Sequence, residues 1–338
     1  MDTIRTAILG YGRNGSTMHA GGVGTNKGFT MAAVCDIDAK RRDEAAQRFS
    51  CPAYTDHRKM LAKEKLDLVI IVTRTDQHCA MTCDALSAGA NVLVTKPWAV
   101  NAREARTMIA AAKRTKRMLL PWLPTFWGAD TRRLREIIEQ KTIGDVFMIR
   151  RIVTAFGTRS DWQTEKRCGG GYLLNWGPHI VFPAVLIGGG KPRTVYGNMK
   201  QVINPGDVED NFFAAITLSN GTLVLAEHTM TPTAMPNWIV QGTKGSVIVH
   251  GKQLTLIRHE PPKPDDPTKY ADMKGAKPSE SVETLGDIYG DTNEIYAAIA
   301  KAIRGEAAYP VSLDAALELS TIFDAIRSSN EKKRIVSM

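Results

Sequence analysis

No apolar stretch in this 338-residue chain runs for the ~20 residues that a bilayer-spanning helix needs. No secretory or twin-arginine leader precedes the apolar pattern that begins at Ile4, so a cytoplasmic, non-membrane protein is expected. Cysteine is scarce as well. Five are present (Cys35, Cys51, Cys79, Cys83, Cys168), and only Cys79 and Cys83 lie a helical turn apart, with no His or Cys partners at zinc spacing. A metal site is therefore not expected, and the thiols should be reduced. Nucleic-acid motifs are also lacking. The formal charge of +9 is spread over Arg41–Arg42, 113–117, 132–135 and 332–334, mostly in helix-like segments that also carry acids or alanines. Solvated faces and attraction of an anionic cofactor explain that excess better than DNA or RNA does. Internal repeats and low-complexity tracts are absent.

What is present is an ordinary globular composition, 43% hydrophobic and 23% charged, long enough for two domains. In the first third, strands alternate with helices: strands at 6–9, 29–35, 66–72 and 92–94, helices at 39–49, 78–88 and 102–114. Strict alternation implies a parallel sheet wound on both faces. Near Pro121 the pattern changes. One amphipathic helix (131–140) precedes period-two runs at 146–156, 193–202, 211–218, 222–229, 238–241, 246–250 and 254–258, with a hairpin over Asn220-Gly221. Residues 261–283, rich in Pro, Lys and Asp, read as an exposed loop. Helices at 293–304 and 313–328 close the chain. The expected fold is α/β: a Rossmann domain over 1–122, then an α+β domain over 123–338 with a large, mostly antiparallel open sheet. The final helices are candidates to pack back on the first domain.

Three places carry chemistry. Gly10-Tyr11-Gly12-Arg13-Asn14-Gly15 follows a strand and opens a helical stretch, so its glycines suit a tight turn, close approach of a pyrophosphate and close helix packing. Asp36 ends the second strand 21 residues after Gly15, placed for a ribose 2′-hydroxyl. Ile37 follows it, while Arg41 and Arg42 lie a turn into the helix, so NAD is expected ahead of NADP. Lys96-Pro97 follows the strand at 92–94, at the carboxyl edge of the sheet where ligands sit, although a lone loop lysine is commonly only a surface group. Third, three glycines (169–171) precede Asn175 and His179, four apart and so on one helix face. Histidine carries protons near neutral pH.

These stretches resemble the glucose–fructose oxidoreductase, inositol dehydrogenase and MocA family over nearly the whole chain. Thr73-Arg74-Thr75-Asp76-Gln77-His78 stands where that family has T-P-N-x-x-H, matching at Thr73 and His78. Thr95-Lys96-Pro97 matches E-K-P except for the threonine. Gly169 to His179 resembles G-G-G-x-L-x-D-x-G-x-H, with Asn175 where aspartate is common and Phe182 where another aspartate is usual. The resemblance implies NAD held by the Gly-rich loop, Asp36, Thr73, Arg74, His78 and Lys96. It further implies a sugar or cyclitol redox reaction, and a homodimer or homotetramer built through the second domain's sheet.

Oxidising a secondary alcohol needs a base for the hydroxyl proton, and His179 is the natural one. Lys96 would hold the reacting oxygen and the cofactor ribose and stabilise developing negative charge. Asn175 reads equally as a partner that orients the imidazole and as the helix N-cap, with Pro178 in the first turn. Arg159, Asp161 and Trp162, before the glycines, are candidate substrate contacts. Trp122 joins them because aromatic faces pack on sugar C–H faces, although tryptophan is more often core. Cys168, with no activating partner, reads as a space-filler. Two alternatives stay open: an NAD-dependent enzyme that cleaves glycosides by transient oxidation, and a non-catalytic sensor built on the cofactor pocket.

Overall fold

The computed structural model describes residues 3–260, 268 and 277–338. Its described residues fall into two compact units. The first draws on Met1–Pro124, Asp161–Gly170 and Asp291–Asp324, the second on Thr125–Ser160, Gly171–Gly290 and Ala325–Met338.

In the first unit β1 (Ile4–Leu9), β2 (Phe29–Cys35), β3 (Ala53–Tyr54), β4 (Leu68–Ile71), β5 (Asn91–Val94) and β6 (Leu119–Pro121) form a parallel sheet of order β3-β2-β1-β4-β5-β6. Helices α1 (Ala20–Thr25), α2 (Ala39–Phe49), α3 (His57–Lys63), α4 (Thr75–Ser87) and α5 (Ala102–Thr115) connect the strands. β4 is apolar and buried at every residue, as a strand covered on both faces must be. Side-chain caps set the helix starts: Asp38 accepts the Arg41 N–H before α2, and Asn101 accepts that of Glu104 before α5. Chain order reverses at β1, which has β2 on one side and β4 on the other. The loops after β1 and β4 therefore diverge at the carboxyl edge and leave a crevice there.

The second unit holds α6 (Ala129–Glu139), β7 (Val146–Ala155), α7 (Tyr172–Gly188) and then β8 (Pro192–Lys200), β9 (Asn211–Leu218), β10 (Leu223–Met230), β11 (Trp238–Gly242), β12 (Gly245–His250), β13 (Gln253–Arg258) and β14 (Ser279–Thr284). With a final β15 (Val336–Ser337) these strands make a nine-stranded sheet, order β14-β13-β12-β11-β7-β10-β9-β8-β15. Only β7 and β10 pair in parallel; every other pairing is antiparallel. α7 lies on β7, β9 and β10, and nearly all of its residues are buried. Of the closing helices, α8 (Thr292–Ile303) packs on α1 in the first unit, where Gly22 leaves room for the Tyr296 ring. α9 (Leu313–Lys332) contributes to both units.

Two expectations need correction. The segment 261–283 was expected as loop throughout. Residues 261–267 and 269–276 lie outside the described residues, but 279–284 form β14, an edge strand paired with β13. Its sequence, SESVET, is exposed nearly throughout and so lacks the alternation that marks a half-buried strand. The helix carrying His179 begins at Tyr172 with Gly171 as N-cap, so Asn175 is inside it and is no cap. Pro178 and Pro183 also lie inside α7. Both lack the N–H that would reach the carbonyls of Leu174 and His179.

Candidate active site

The first unit carries a sheet edge built largely from backbone. Gly10 has φ +90°, and a Cβ there would come within 2.7 Å of the Val72 carbonyl oxygen. A Cβ on Gly15 would run into the Gly10 carbonyl oxygen, so this glycine closes the turn upon itself. Helical backbone starts at residue 13 and widens to a π turn over Gly15–His19. Tyr11 turns inward: its ring is buried, and Arg48 Nη1 donates to its hydroxyl at 3.3 Å. Arg13 and Asn14 are exposed.

Asp36 sits directly under this loop. Its Oδ2 accepts the Tyr11 N–H at 2.7 Å and its Oδ1 the Asp38 N–H at 2.9 Å. Those two bonds fix the carboxylate and leave further acceptor positions for a ribose hydroxyl. Arg41 Nη1 lies 3.6 Å from Asp36 Oδ1, and the Arg41 guanidinium is also the nearest group to a Cβ built on Gly12, again at 3.6 Å. The space over Gly12 is thus open and bounded by a cation, which suits a phosphate-bearing cofactor. Ile37, beside Asp36, is 89% exposed.

Lys96 follows β5 at the same carboxyl edge, partly exposed, and its peptide bond to Pro97 is cis. Thr95 holds this loop by donating its hydroxyl to the Ile71 carbonyl at 2.9 Å. His78 is 1% exposed and ties the two edge loops together. One ring nitrogen faces the Pro97 carbonyl at 2.9 Å and the other the Thr73 carbonyl at 3.0 Å. A neutral ring donates to one of the two, and burial lowers the pKa of this histidine. Thr73 is partly buried, and Arg74 pairs with Asp76 at 3.1 Å.

Also in the first unit, Trp122 is 4% exposed, edge-on to His19 at 4.7 Å and tilted against Tyr296 at 5.9 Å. The Tyr296 hydroxyl lies 3.0 Å from His19 Nδ1, and burial pushes His19 down to about 3. Asp161 caps the short turn Trp162–Thr164, accepting the Gln163 N–H at 3.3 Å. Gly169 and Gly170 belong to this unit too, with Gly169 (φ +69°) against Thr75.

The second unit carries α7. Asn175 (8% exposed) and His179 (7%) stand one turn apart on it. Trp176 lies 6.1 Å from the His179 ring and 5.5 Å from the buried ring of His228, whose pKa burial lowers to about 4. Tyr289, which the sequence reading passed over, sits edge-on to His179 at 5.0 Å. Its segment is fastened to the start of α6, since Ala129 N–H donates to the Asp287 carbonyl at 3.0 Å and Gly128 and Gly290 allow close approach of Ile288 and Trp127. Arg159 donates its N–H to Asn204 Oδ1 at 2.6 Å, and Asn204 Nδ2 donates to the Tyr172 hydroxyl at 3.2 Å. The structure therefore gathers the loop 10–15, Asp36, Thr73, His78 and Lys96 at one sheet edge, and Asn175 with His179 on one helix. Among the described residues no group of His, Cys, Asp and Glu is arranged to hold a metal, and no helix is long and apolar enough to cross a membrane.

A parallel sheet whose carboxyl edge carries a glycine-rich turn and an anchored aspartate defines a dinucleotide-binding protein of the Rossmann class. Residues 4–121 match the model of an oxidoreductase family with NAD-binding Rossmann fold, and residues 131–248 that of the GFO/IDH/MocA C-terminal domain. The chain belongs to the GFO/IDH/MocA family of oxidoreductases. It is 26% identical to the Escherichia coli K12 oxidoreductase YdgJ, covering 96% of this chain and 95% of that one. It is 22% identical to the Bacillus subtilis scyllo-inositol 2-dehydrogenase (NADP(+)) IolW, over 100% and 97%. An NAD-binding protein from Listeria innocua superimposes with a TM-score of 0.86 at 26% identity, over 99% of this chain and 97% of that one.

Proposed function

We propose that this protein is a cytoplasmic NAD(H)-dependent dehydrogenase that interconverts a secondary alcohol and ketone on a sugar, sugar derivative or cyclitol. The observation that carries this reading is Lys96 at the end of β5, on the sheet edge that also bears the glycine-rich turn and the anchored Asp36. The name of the Bacillus subtilis relative supports the substrate class. Bound NAD supplies the two-electron acceptor. Asp36 would hold the adenosine ribose, and exposed Ile37 would cover the adenine. Lys96 would bind the reacting oxygen and hold it through the change in charge, while His179 takes the hydroxyl proton and Asn175 and Tyr289 orient the ring. NAD is favoured by the Asp36 carboxylate. Arg41, at 3.6 Å from it, is the group that would receive a 2′-phosphate if NADP bound.

A second copy of the chain is the proposed partner. On the sheet face opposite the buried Val224, Phe212 and Val240, a row of Ala215, Leu225, Arg150, Ile239 and Ile248 crosses four strand boundaries. Each of its members is only partly buried. Such a mainly apolar open face suits a homodimer or homotetramer.

The test is a panel of aldoses, glycosides and inositols assayed for NAD reduction at the nicotinamide band. At least one secondary alcohol should reduce NAD in step with turnover. Lys96→Ala and His179→Ala should each lower kcat by about 10²–10⁴-fold. Turnover of a glycoside without net NAD reduction, or full activity in His179→Ala, would overturn the reading.

A further inference from the structure

The first turn of α7 has no cap from its own chain neighbourhood. Gly171, at φ +103°, offers no side chain, and the first N–H groups of a helix need acceptors from elsewhere. Glu209, 36 residues away on the loop before β9, supplies two of them. Its carbonyl oxygen accepts the Tyr172 N–H at 3.0 Å, and its carboxylate Oε1 accepts the Leu173 N–H at 2.9 Å. A Cβ on residue 171 would come 2.5 Å from that same Oε1, so glycine is required there for the carboxylate to reach the helix. The loop bearing Glu209 is itself anchored. Asp210 accepts the N–H groups of Val202, Ile203 and Asn204 at 2.6–2.9 Å, and Asn204 holds the Tyr172 hydroxyl.

We propose that Glu209 is a positioning residue for His179: its carboxylate fixes the first turn of α7 and places there the negative charge that neutral Asn175 does not provide. This rests on the reading of His179 as the base. Six residues separate Leu173 from His179, about 9 Å along the axis at 1.5 Å per residue. Over that distance in a partly buried site a full charge still moves a titration. The sign is clear. A carboxylate at the start of the helix favours an imidazolium further along it, and removing that charge disfavours one.

Other groups face the pair. Around His179 stand Trp176 of α7 and Tyr289, and Tyr289 in turn feels the Arg151 guanidinium and the Asp130 carboxylate. His228 lies behind Trp176. Around Glu209 stand Arg327 of α9 and Asp210. The Glu209 pKa is raised, since burial outweighs the Leu173 N–H and Arg327, which lower it.

Glu209→Gln keeps an oxygen that can accept the Leu173 N–H and removes only the charge. In full-length protein with labelled histidine, with the His179 signal assigned through His179→Asn, NMR titration of Glu209→Gln should show the ring pKa lowered by about half a unit to one unit. The acid limb of substrate oxidation should move down with it, with KM within about twofold. Returning charge to the same helix in Asn175→Asp/Glu209→Gln should restore the pKa. An unshifted ring pKa in Glu209→Gln, or no recovery in the double variant, overturns the inference. A shifted ring pKa with an unmoved acid limb upholds Glu209 but removes His179 from the role of base.

Discussion

The two units carry their candidate chemistry in opposite ways. In the first, the working groups are at strand ends: a turn after β1, a carboxylate after β2, an amine after β5. In the second they ride on one helix, α7, buried along nearly its whole length and held at its start by Glu209 and Asn204 from the loop after β8. An edge of strand ends is assembled by the sheet itself, so each group is held by the loop of the neighbouring strand, as the Tyr11 N–H holds Asp36 and the Ile71 carbonyl holds Thr95. A buried helix takes its register from partners far along the chain. Perturbations should therefore act locally in the first unit and at long range in the second.

The largest effect should come from Gly15→Ala, set against Gly221→Ala. In the first unit the new methyl runs into the Gly10 carbonyl oxygen and reopens the turn proposed to receive the cofactor. A clash of this kind costs more than about 3 kcal/mol, so NAD binding measured by NADH fluorescence should weaken by about a hundredfold or more. Gly221 also has positive φ, +87°, but nothing lies within 4 Å of its would-be Cβ. There the cost should be about 1 kcal/mol of stability, with cofactor binding unchanged. Equal loss of NADH binding in the two variants would break the comparison.

A smaller effect should follow from Asp36→Ser, which sharpens the account of the first unit. The carboxylate is held by the N–H groups of Tyr11 and Asp38, so its removal deletes the proposed ribose acceptor and frees Arg41 from its neighbour. NAD affinity should drop by about tenfold, and the NADP-to-NAD preference should rise by at least as much. Isothermal titration with both nucleotides reads this directly. An unchanged ratio would mean that Asp36 does not choose between them.

The same contrast explains what could be read from the chain beforehand. The Gly10–Gly15 turn, Asp36, α2 over 39–49 and the Lys96 edge were legible because spacing, caps and apolar runs are local signals. The N-terminus of α7 was not. Asn175 and Pro178 imitate a cap and first turn, whereas the true start depends on Gly171 and on Glu209, an acid 36 residues beyond Leu173. Tyr289 was missed for a related reason. It follows a polar edge strand whose sequence looks like loop, and only the fastening of 287–290 to 127–129 brings its ring to His179. Trp122 went the other way: its aromatic character suggested a substrate wall, and the fold packs it against His19 and Tyr296.

The smallest effect, and the sharpest test of the second unit, is Asn175→Asp. The side chain is 8% exposed and one turn before His179, so the new carboxylate would share a helix face with the imidazole in a poorly hydrated place. Negative charge there favours the imidazolium and raises the ring pKa. With His179 as the proposed base, oxidation needs the neutral ring to accept a proton, so its acid limb should move to higher pH, by about half a unit to one unit. Reduction needs the imidazolium to donate, so its activity should persist to correspondingly higher pH. The direction is opposite to that expected for Glu209→Gln, because one change adds a charge to the helix that the other removes. If both variants moved the acid limb the same way, charge would not be what couples this helix to its histidine. The long-range control argued for the second unit would then reduce to packing alone.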